Sequence, residues 1–352
     1  PLHGVGGTAV VPVLAGDGFT EVEVYGPQAE PDGAFPNVPK HVANPEAPEI
    51  YPQLIEHARS ISADCVLVTD PDCDRLGCAA PETQDLAGPW RIFTGNQLGA
   101  LLADFLLFKR NGGGRGYVVK TLVTTEMIRR IAESYGVTTH GELQVGFKWI
   151  GLTMDEKGPA DFLFGAEESH GYLVGQYARD KDGAVAAMLL AELAAECKTQ
   201  RKTLAQKLDD LFWQHGCHVE RTVSKTMLGE QGMANMDRLM QTVRQSPPAE
   251  LGGLAVAEVR DYQSLTRLAP GGNPEPFTGP KGNMVMLELA EPGNYVAVRP
   301  SGTEPKVKFY MFSFTPAEQL ANLEDARTEL NARLDAVWAD LGALATRVEQ
   351  GA

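Results

Sequence analysis

Asp70, Asp72 and Asp74 alternate in the short stretch TDPDCDR, directly after the apolar run Val66-Leu67-Val68. Three carboxylates this close repel one another, and without a counter-charge one of them is driven to hold a proton. A divalent cation removes the conflict, because hard cations take oxygen ligands. The loop therefore reads as a Mg²⁺ site at the carboxyl end of a buried strand, where open α/β sheets place ligands. Arg75 adds positive charge and a contact suited to phosphate. Two other readings share these residues. An Asp-rich loop is also an ordinary turn, since Asp tolerates tight backbone geometry. A weaker competitor makes Asp70 the nucleophile of an aspartyl-phosphate enzyme. An EF-hand is excluded: counted from Asp70, it needs Gly at position six and Glu at twelve, where the chain has Arg75 and Pro81. Cys73 reads as a small spacer, because a thiolate is too soft for magnesium.

Three further stretches carry groups that bind or move other groups. Glu167 and Ser169 alternate in GAEESHGY, after the apolar Phe162-Leu163-Phe164. In an extended loop both point one way, and a carboxylate beside a hydroxyl suits adjacent sugar hydroxyls. The same residue types also favour helix N-caps. Arg179-Asp180-Lys181-Asp182-Gly183 alternates in sign as solvated turns do. Its basic residues also allow an anion contact, or proton transfer by Lys181, and Lys148 in VGFKW offers the same. Arg299-Pro300-Ser301-Gly302-Thr303-Glu304-Pro305-Lys306 is the sharpest of the set. An Arg, two hydroxyls, a Gly freeing backbone N–H groups and a Lys make a phosphate cradle. A structural hairpin would not need both cations and both hydroxyls.

The elements that must position these loops follow from periodicity. Glu21–Val24 suggests a strand, Ile50–Ile61 carries apolar residues at helical spacing, and Cys65–Val68 is the strand feeding the Asp loop. Strand, helix and strand suggest a βαβ unit. Gln28–Pro52 reads as a long surface connection, and Pro12 sits awkwardly in an early helix over Val10–Ala15. A second α/β block has a helix at Gly95–Arg110 stopped by Asn111–Gly114 and a strand at Tyr117–Val123. A helix capped by Thr124 runs to Gly136, and a buried helix spans Ala184–Cys197. The last third offers strands at Val219–Val223, Leu254–Val259, Met284–Leu289, Tyr295–Val298 and Val307–Phe314, with helices at Gly232–Arg244 and Pro316–Leu341. Strands joined mostly by short loops point to an α+β domain with an antiparallel sheet.

At 352 residues the chain has room for two or three domains. A net charge of −15 argues against a surface that tracks nucleic-acid phosphates, although a local basic pocket can still take an anionic substrate. No apolar stretch approaches a membrane span. The five cysteines, with no C-x-x-C spacing, look like reduced thiols of a cytoplasmic protein.

The four loops, in this order, resemble the α-D-phosphohexomutase family of phosphoglucomutases and phosphomannomutases. The resemblance covers nearly the whole chain, including the opening Pro1-Leu2-His3-Gly4-Val5-Gly6-Gly7. It implies two similar α/β domains with mixed sheets flanked by helices, at residues 1–93 and 94–218. A smaller α+β C-terminal domain with an antiparallel sheet would follow at 219–352. It implies that Asp70, Asp72 and Asp74 hold Mg²⁺, with Arg75 and Arg179 as substrate contacts. Glu167 and Ser169 would grip sugar hydroxyls, and Arg299, Ser301, Gly302, Thr303 and Lys306 would bind phosphate. Lys181, Lys148 and His170 become candidates for proton transfer or phosphate contact. The implied partners are glucose or mannose 1- and 6-phosphates and a bisphosphate intermediate, with no nucleic acid and no membrane.

One departure from the family is large. Its N-terminal domain, with a catalytic serine in a T-A-S-H-N-P-type loop, has no counterpart here; the chain opens where a second domain would begin. The expectation is a truncated or incompletely assigned chain, inactive by itself. In the resembled enzymes a phosphoserine gives its phosphoryl group to the sugar, and the bisphosphosugar turns over and returns the other phosphate. The parent would thus interconvert hexose 1- and 6-phosphates. The alternatives are a non-catalytic fragment that binds Mg²⁺ and phosphosugar, or a phosphopentomutase of the same family.

Overall fold

The computed structural model describes residues 1–109, 114–227, 229, 231–302 and 304–351. The chain divides into two compact units, Pro1–Leu211 and Phe212–Ala352. The α/β character and the antiparallel C-terminal sheet are as the sequence implies.

The first unit opens with α1 (Gly6–Gly16) and α2 (Tyr51–Ser60), then β1 (Val66–Thr69), β2 (Leu76–Pro81) and β3 (Trp90–Phe93). Tyr51, Leu54 and Ile55 of α2 pack with Leu2, Val38, Val68 and Ala79 to form the core over this sheet. The three strands are antiparallel in the order β1-β2-β3. Thr69 pairs with Leu76 as the last rung, so residues 70–75 are the connection between β1 and β2. The expected βαβ unit is absent because Glu21–Val24 forms no strand among the described residues; its valines are only half-buried, without a ladder partner. Pro12, in turn, lies inside α1.

The unit continues through α3 (Gly95–Lys109), β4 (Tyr117–Lys120), α4 (Met127–Ser134), β5 (Thr138–His140), α5 (Phe147–Lys157), β6 (Phe162–Glu167), β7 (Gly171–Val174), α6 (Gly183–Thr199) and α7 (Leu204–His215). The second sheet has the order β5-β4-β6-β7, with β4 parallel to both neighbours and β7 antiparallel. The chain leaves β4 through α4 to β5 on one side and returns through α5 to β6 on the other, so the carboxyl ends of β4 and β6 border the switch-point crevice. β4 is shorter than its apolar run because the fully buried Lys120 ends it, donating to the carbonyls of Thr121 and Thr124 at 3.1 and 2.9 Å. Thr125, one residue past the expected Thr124, accepts the first amide of α4, that of Met127, at 3.2 Å.

The second unit holds β8 (Cys217–Thr226), α8 (Gly232–Gln245), β9 (Glu250–Leu251), β10 (Leu254–Asp261), β11 (Thr266–Leu268), β12 (Glu275–Pro276), β13 (Val285–Leu289), β14 (Tyr295–Pro300), β15 (Lys306–Thr315) and α9 (Leu323–Gln350). Its antiparallel sheet runs β12-β11-β10-β13-β14-β15-β8, with β9 on β10. The helix expected from Pro316 starts later, at the Asn322 cap, whose side chain accepts from Glu324 and Asp325; it ends at left-handed Gly351. Val298, Val307, Phe309 and Met311 pack with Leu239, Val243, Leu334 and Val337 of the helices. Strand alternation therefore puts Arg299, Lys306 and Lys308 on the sheet's other face. No helix among the described residues is long and apolar enough to cross a membrane.

Candidate functional site

Asp70 leaves the end of β1 buried, Asp72 is exposed and Asp74 is half-buried. Oxygens of all three lie within 4.8 Å of one another. Arg75 folds back on Asp70: its amide donates to Oδ1 at 3.0 Å and its Nε to Oδ2 at 2.6 Å. Its Nη1 reaches Asn44 Oδ1 at 3.1 Å and Glu46 at 3.4 Å. Burial pushes the Asp70 carboxyl up and these Arg75 bonds pull against it. Both oxygens of Asp70 are engaged by Arg75, which fixes the orientation of the carboxylate. Cys73 takes a left-handed backbone with φ 59°, and burial pushes its thiol up to about 11. A protonated thiol suits a spacer in an all-oxygen donor set. Packing fixes the loop from the other side too: Val5 donates to Pro71 O at 2.8 Å, and a Cβ on Gly4 would lie 2.2 Å from Pro71 Cα.

The Glu167–Gly171 hairpin sits directly against this loop. Leu76 N donates to His170 O at 3.0 Å, the His170 ring meets Leu76 O through Nδ1 at 3.1 Å, and Arg75 bridges Gly171. A carbonyl only accepts, so Nδ1 carries the proton. Gly95 permits the approach, since a Cβ there would lie 2.0 Å from Glu168 O. Glu167 ends β6 buried, and its Oε1 accepts from Gly146 N at 3.0 Å. Burial pushes this carboxyl up, while the charge of Lys181 works the other way. Ser169 is half-buried in the turn.

The third stretch closes on the first two. Lys181 Nζ lies 2.5 Å from Asp74 Oδ2, 3.2 Å from Asp180 and 5.9 Å from the centre of the Phe147 ring. Burial works to lower its pKa, but the pairs with Asp74 and Asp180 hold the ammonium above its ordinary value. Gly183 N donates to Cys73 O at 3.0 Å, and a Cβ on Gly183 would come within 2.7 Å of that oxygen. Asp182 caps α6, accepting from Ala184 and Val185 at 2.8 and 3.2 Å. Loops 70–75, 167–171 and 179–183 thus share contacts although up to about a hundred residues separate them.

Three further expected residues have partners within the protein. Arg179 binds Asp155 at 2.7 Å and the carbonyls of Gln176 and Ala178 at 3.0 Å, which anchors its own loop. Lys148 is exposed, with its ammonium 5.3 Å from the Trp149 ring centre. His170 is 3% exposed, and burial lowers its pKa to about 4, so the ring is neutral.

The Arg299–Lys306 stretch belongs to the second unit, as the turn between β14 and β15. Ser301 N donates to Lys306 O at 2.7 Å, Met227 N donates to Pro305 O at 2.7 Å, and Glu304 N reaches Ser301 Oγ at 3.4 Å. Gly302 faces open space. Thr303 lies outside the described residues. Arg299 stands directly opposite Lys308 in the β14–β15 ladder. Among the described residues neither side chain has a hydrogen bond or ion pair. Like charges directly opposite repel. Lys308 was not singled out from sequence, although the alternation Lys306-Val307-Lys308 carries the signal. Asn44 and Glu46 give no such signal; their roles arise only from chain folding.

The chain matches phosphoglucomutase/phosphomannomutase alpha/beta/alpha domain II over residues 1–83 and domain III over residues 94–214. The phosphoglucomutase of Staphylococcus haemolyticus is 34% identical over 312 residues, covering 88% of this chain and 56% of the relative. That of Staphylococcus aureus strain USA300 is 31% identical over 335 residues, covering 95% and 58%. The chain therefore spans little more than half the length of these curated relatives. Two crystal structures share the fold. One is parafusin (phosphoglucomutase) from Paramecium in its open form, with TM-score 0.66, 18% identity and 98% and 57% of the two chains covered. The other is a phosphoglucomutase/phosphomannomutase family protein from Burkholderia thailandensis, with TM-score 0.59, 19% identity and 96% and 60% covered. Two consecutive domain matches spanning more than half its length, with relatives above 30% identity, establish that the chain belongs to the phosphoglucomutase/phosphomannomutase family.

Proposed function

We propose that this chain supplies the metal-, sugar- and phosphate-binding groups of an enzyme that interconverts hexose 1-phosphate and hexose 6-phosphate through a phosphoserine and a bisphosphosugar. The observation that carries the reading is the junction of three sequence-distant loops at Asp74, Lys181 and Gly183. Asp70, Asp72 and Asp74 would hold Mg²⁺, since three clustered carboxylates form a hard-oxygen donor set. The ion, when bound, neutralises charge on a transferring phosphoryl group. Arg75 keeps Asp70 in place. Glu167 and Ser169 accept and exchange hydrogen bonds with neighbouring sugar hydroxyls. Arg299, Ser301, Gly302, Thr303 and Lys306 hold the phosphate that is not reacting, with Lys308 as an added cation.

Lys181 leads the proton-transfer candidates. Its ammonium pairs with Asp74, and its stem flanks Gly171, as does Glu167. A lysine held protonated donates to a developing alkoxide or to phosphate oxygen. His170, neutral and bonded to Leu76, orients the hairpin, and Lys148 contributes from the surface. The functional segments are 1–93, 94–218 and 219–352, carrying metal, sugar and phosphate loops respectively, in a cytoplasmic enzyme.

The chain alone is expected to bind glucose 6-phosphate without turning it over, because none of its serines lies in a T-A-S-H-N-P-type loop. Calorimetry with glucose 6-phosphate tests the binding half. Arg299→Ala should weaken binding by roughly 10- to 100-fold, the loss of a charge-assisted contact. Equal affinity in the variant removes the phosphate-cradle assignment, and clear mutase turnover by the chain removes the inference of a missing nucleophile.

A further inference from the structure

Two side-chain cations face the three clustered carboxylates, and they are held very differently. Arg75 is tethered at four points: its amide and Nε bond Asp70, and its Nη1 bonds Asn44 and Glu46. Its approach to Asp74 is looser, with Nε 3.8 Å from Oδ1. Lys181 makes the close contact with that residue, Nζ lying 2.5 Å from Asp74 Oδ2. Its ammonium is not tied to Asp74 alone. Asp180 accepts from it at 3.2 Å, and the Phe147 ring centre is 5.9 Å away. Its stem runs over Gly171, where an added Cβ would meet Lys181 Cδ at 2.5 Å and Glu167 Oε2 at 3.5 Å. The buried Glu167 carboxyl group therefore lies beside the stem. A lysine is a compact charge on a flexible chain, suited to moving between such partners, whereas a guanidinium bonded at four points is not.

We infer that Lys181 and the divalent ion compete for Asp74, and that the ammonium leaves Oδ2 for Asp180 and Glu167 when the three carboxylates take the ion. The inference rests on the reading of Asp70, Asp72 and Asp74 as a Mg²⁺ site. An ammonium at this distance engages an oxygen that a hard cation would use, and it repels a dication directly. By linkage, whatever stabilises Lys181 on Asp74 weakens binding of the ion by the same factor. Lys181 thus holds metal affinity down. In return, its release toward the 167–171 hairpin is made dependent on the ion, so filling the carboxylate trio and presenting the ammonium to the sugar loop are one event.

The test is calorimetric titration of the 352-residue chain with magnesium chloride at fixed ionic strength, repeated on Lys181→Met and Lys181→Arg. Methionine keeps an apolar stem over Gly171 and removes the charge; arginine keeps the charge. Lys181→Met should bind Mg²⁺ about tenfold more tightly than the parent, the scale of one lost charge-assisted contact. Lys181→Arg should show no such gain. A crystal structure of the Mg²⁺-bound parent, which needs no variant, should place Nζ beyond hydrogen-bonding distance of Asp74. Equal or weaker binding by Lys181→Met overturns the inference and leaves the metal reading intact, as does Nζ still bonded to Asp74 Oδ2 beside the ion. Absence of Mg²⁺ binding by both the parent and Lys181→Met removes the metal reading itself, and the inference with it.

Discussion

Arg299 and Lys308 are a like-charge pair that costs the fold stability. Each is half-buried on neighbouring strands, directly opposite the other, and no carboxylate among the described residues balances them. Lys308→Ala should therefore raise the melting temperature of the second unit, by the equivalent of about 0.5 kcal/mol, because a like-charge cross-strand contact disappears. The same change should weaken glucose 6-phosphate binding. A variant that melts lower and binds as well as the parent would show that Lys308 is a packing residue. Asp72 makes the parallel case at the metal loop. It is the exposed member of the trio, so Asp72→Ala should leave the chain's own stability within about 0.5 kcal/mol. It should abolish the rise in melting temperature that saturating Mg²⁺ gives the parent, about 2.7 kcal/mol at a hundredfold excess over Kd. Residues of this kind were legible in sequence because their chemistry is unusual in a short window: three alternating carboxylates, or two cations with two hydroxyls. Asn44 and Glu46 were not, since a polar residue in a Pro-rich connection acquires its task only when the chain brings it to Arg75.

Among the elements, the β4–α4 connection shows how a crevice is kept rigid. Lys120 is fully buried, and Glu126 meets it at 2.6 Å and Arg129 at 2.7 Å. Burial works to raise the Glu126 pKa, but the two cations hold it down to about 2, against an ordinary 4.5. A carboxyl depressed in the folded state contributes its stability in full above the unfolded value and loses it as pH falls through the folded one. Acid denaturation of the first unit should thus steepen between about pH 4.5 and pH 2, and Glu126→Gln should flatten that segment. At neutral pH the substitution leaves a buried ammonium without its carboxylate and should cost about 3 kcal/mol. Urea unfolding at several pH values checks both; an unchanged acid limb discards the assignment. Elements with long apolar periodicity, such as α2 and α6, were readable in advance. The strand expected at Glu21–Val24 does not form, because alternation alone cannot supply a neighbouring strand. The end of β4 was missed for a different reason: Tyr117–Val123 is continuously apolar apart from Lys120 and Thr121, and only the lysine's turn into the carbonyls of the connection breaks it.

The chain as a whole divides its chemistry between two cores. Carboxylates and sugar-type groups lie in Pro1–Leu211, and the unbalanced cations lie in Phe212–Ala352. Calorimetric unfolding should resolve two transitions, with a calorimetric enthalpy exceeding the van't Hoff value. Mg²⁺ should move only the transition of the first unit, and inorganic phosphate only that of the second. A single transition that both ligands shift together would mean the units do not unfold separately. The division between α/β and antiparallel thirds was visible in the order of strands and helices, whereas the partners of each strand were not, because pairing depends on contacts far apart in sequence. The open Arg299–Lys308 pair also sets a requirement on whatever it captures in a protein of net charge −15. Two like cations are best matched by a guest carrying nearly two negative charges on one end, and a phosphate ester reaches that state only above its second ionisation, near pH 6. Uncharged hexose should pass it by, and acidification should release the ester through the guest's own proton uptake while every side chain of the hairpin keeps its charge.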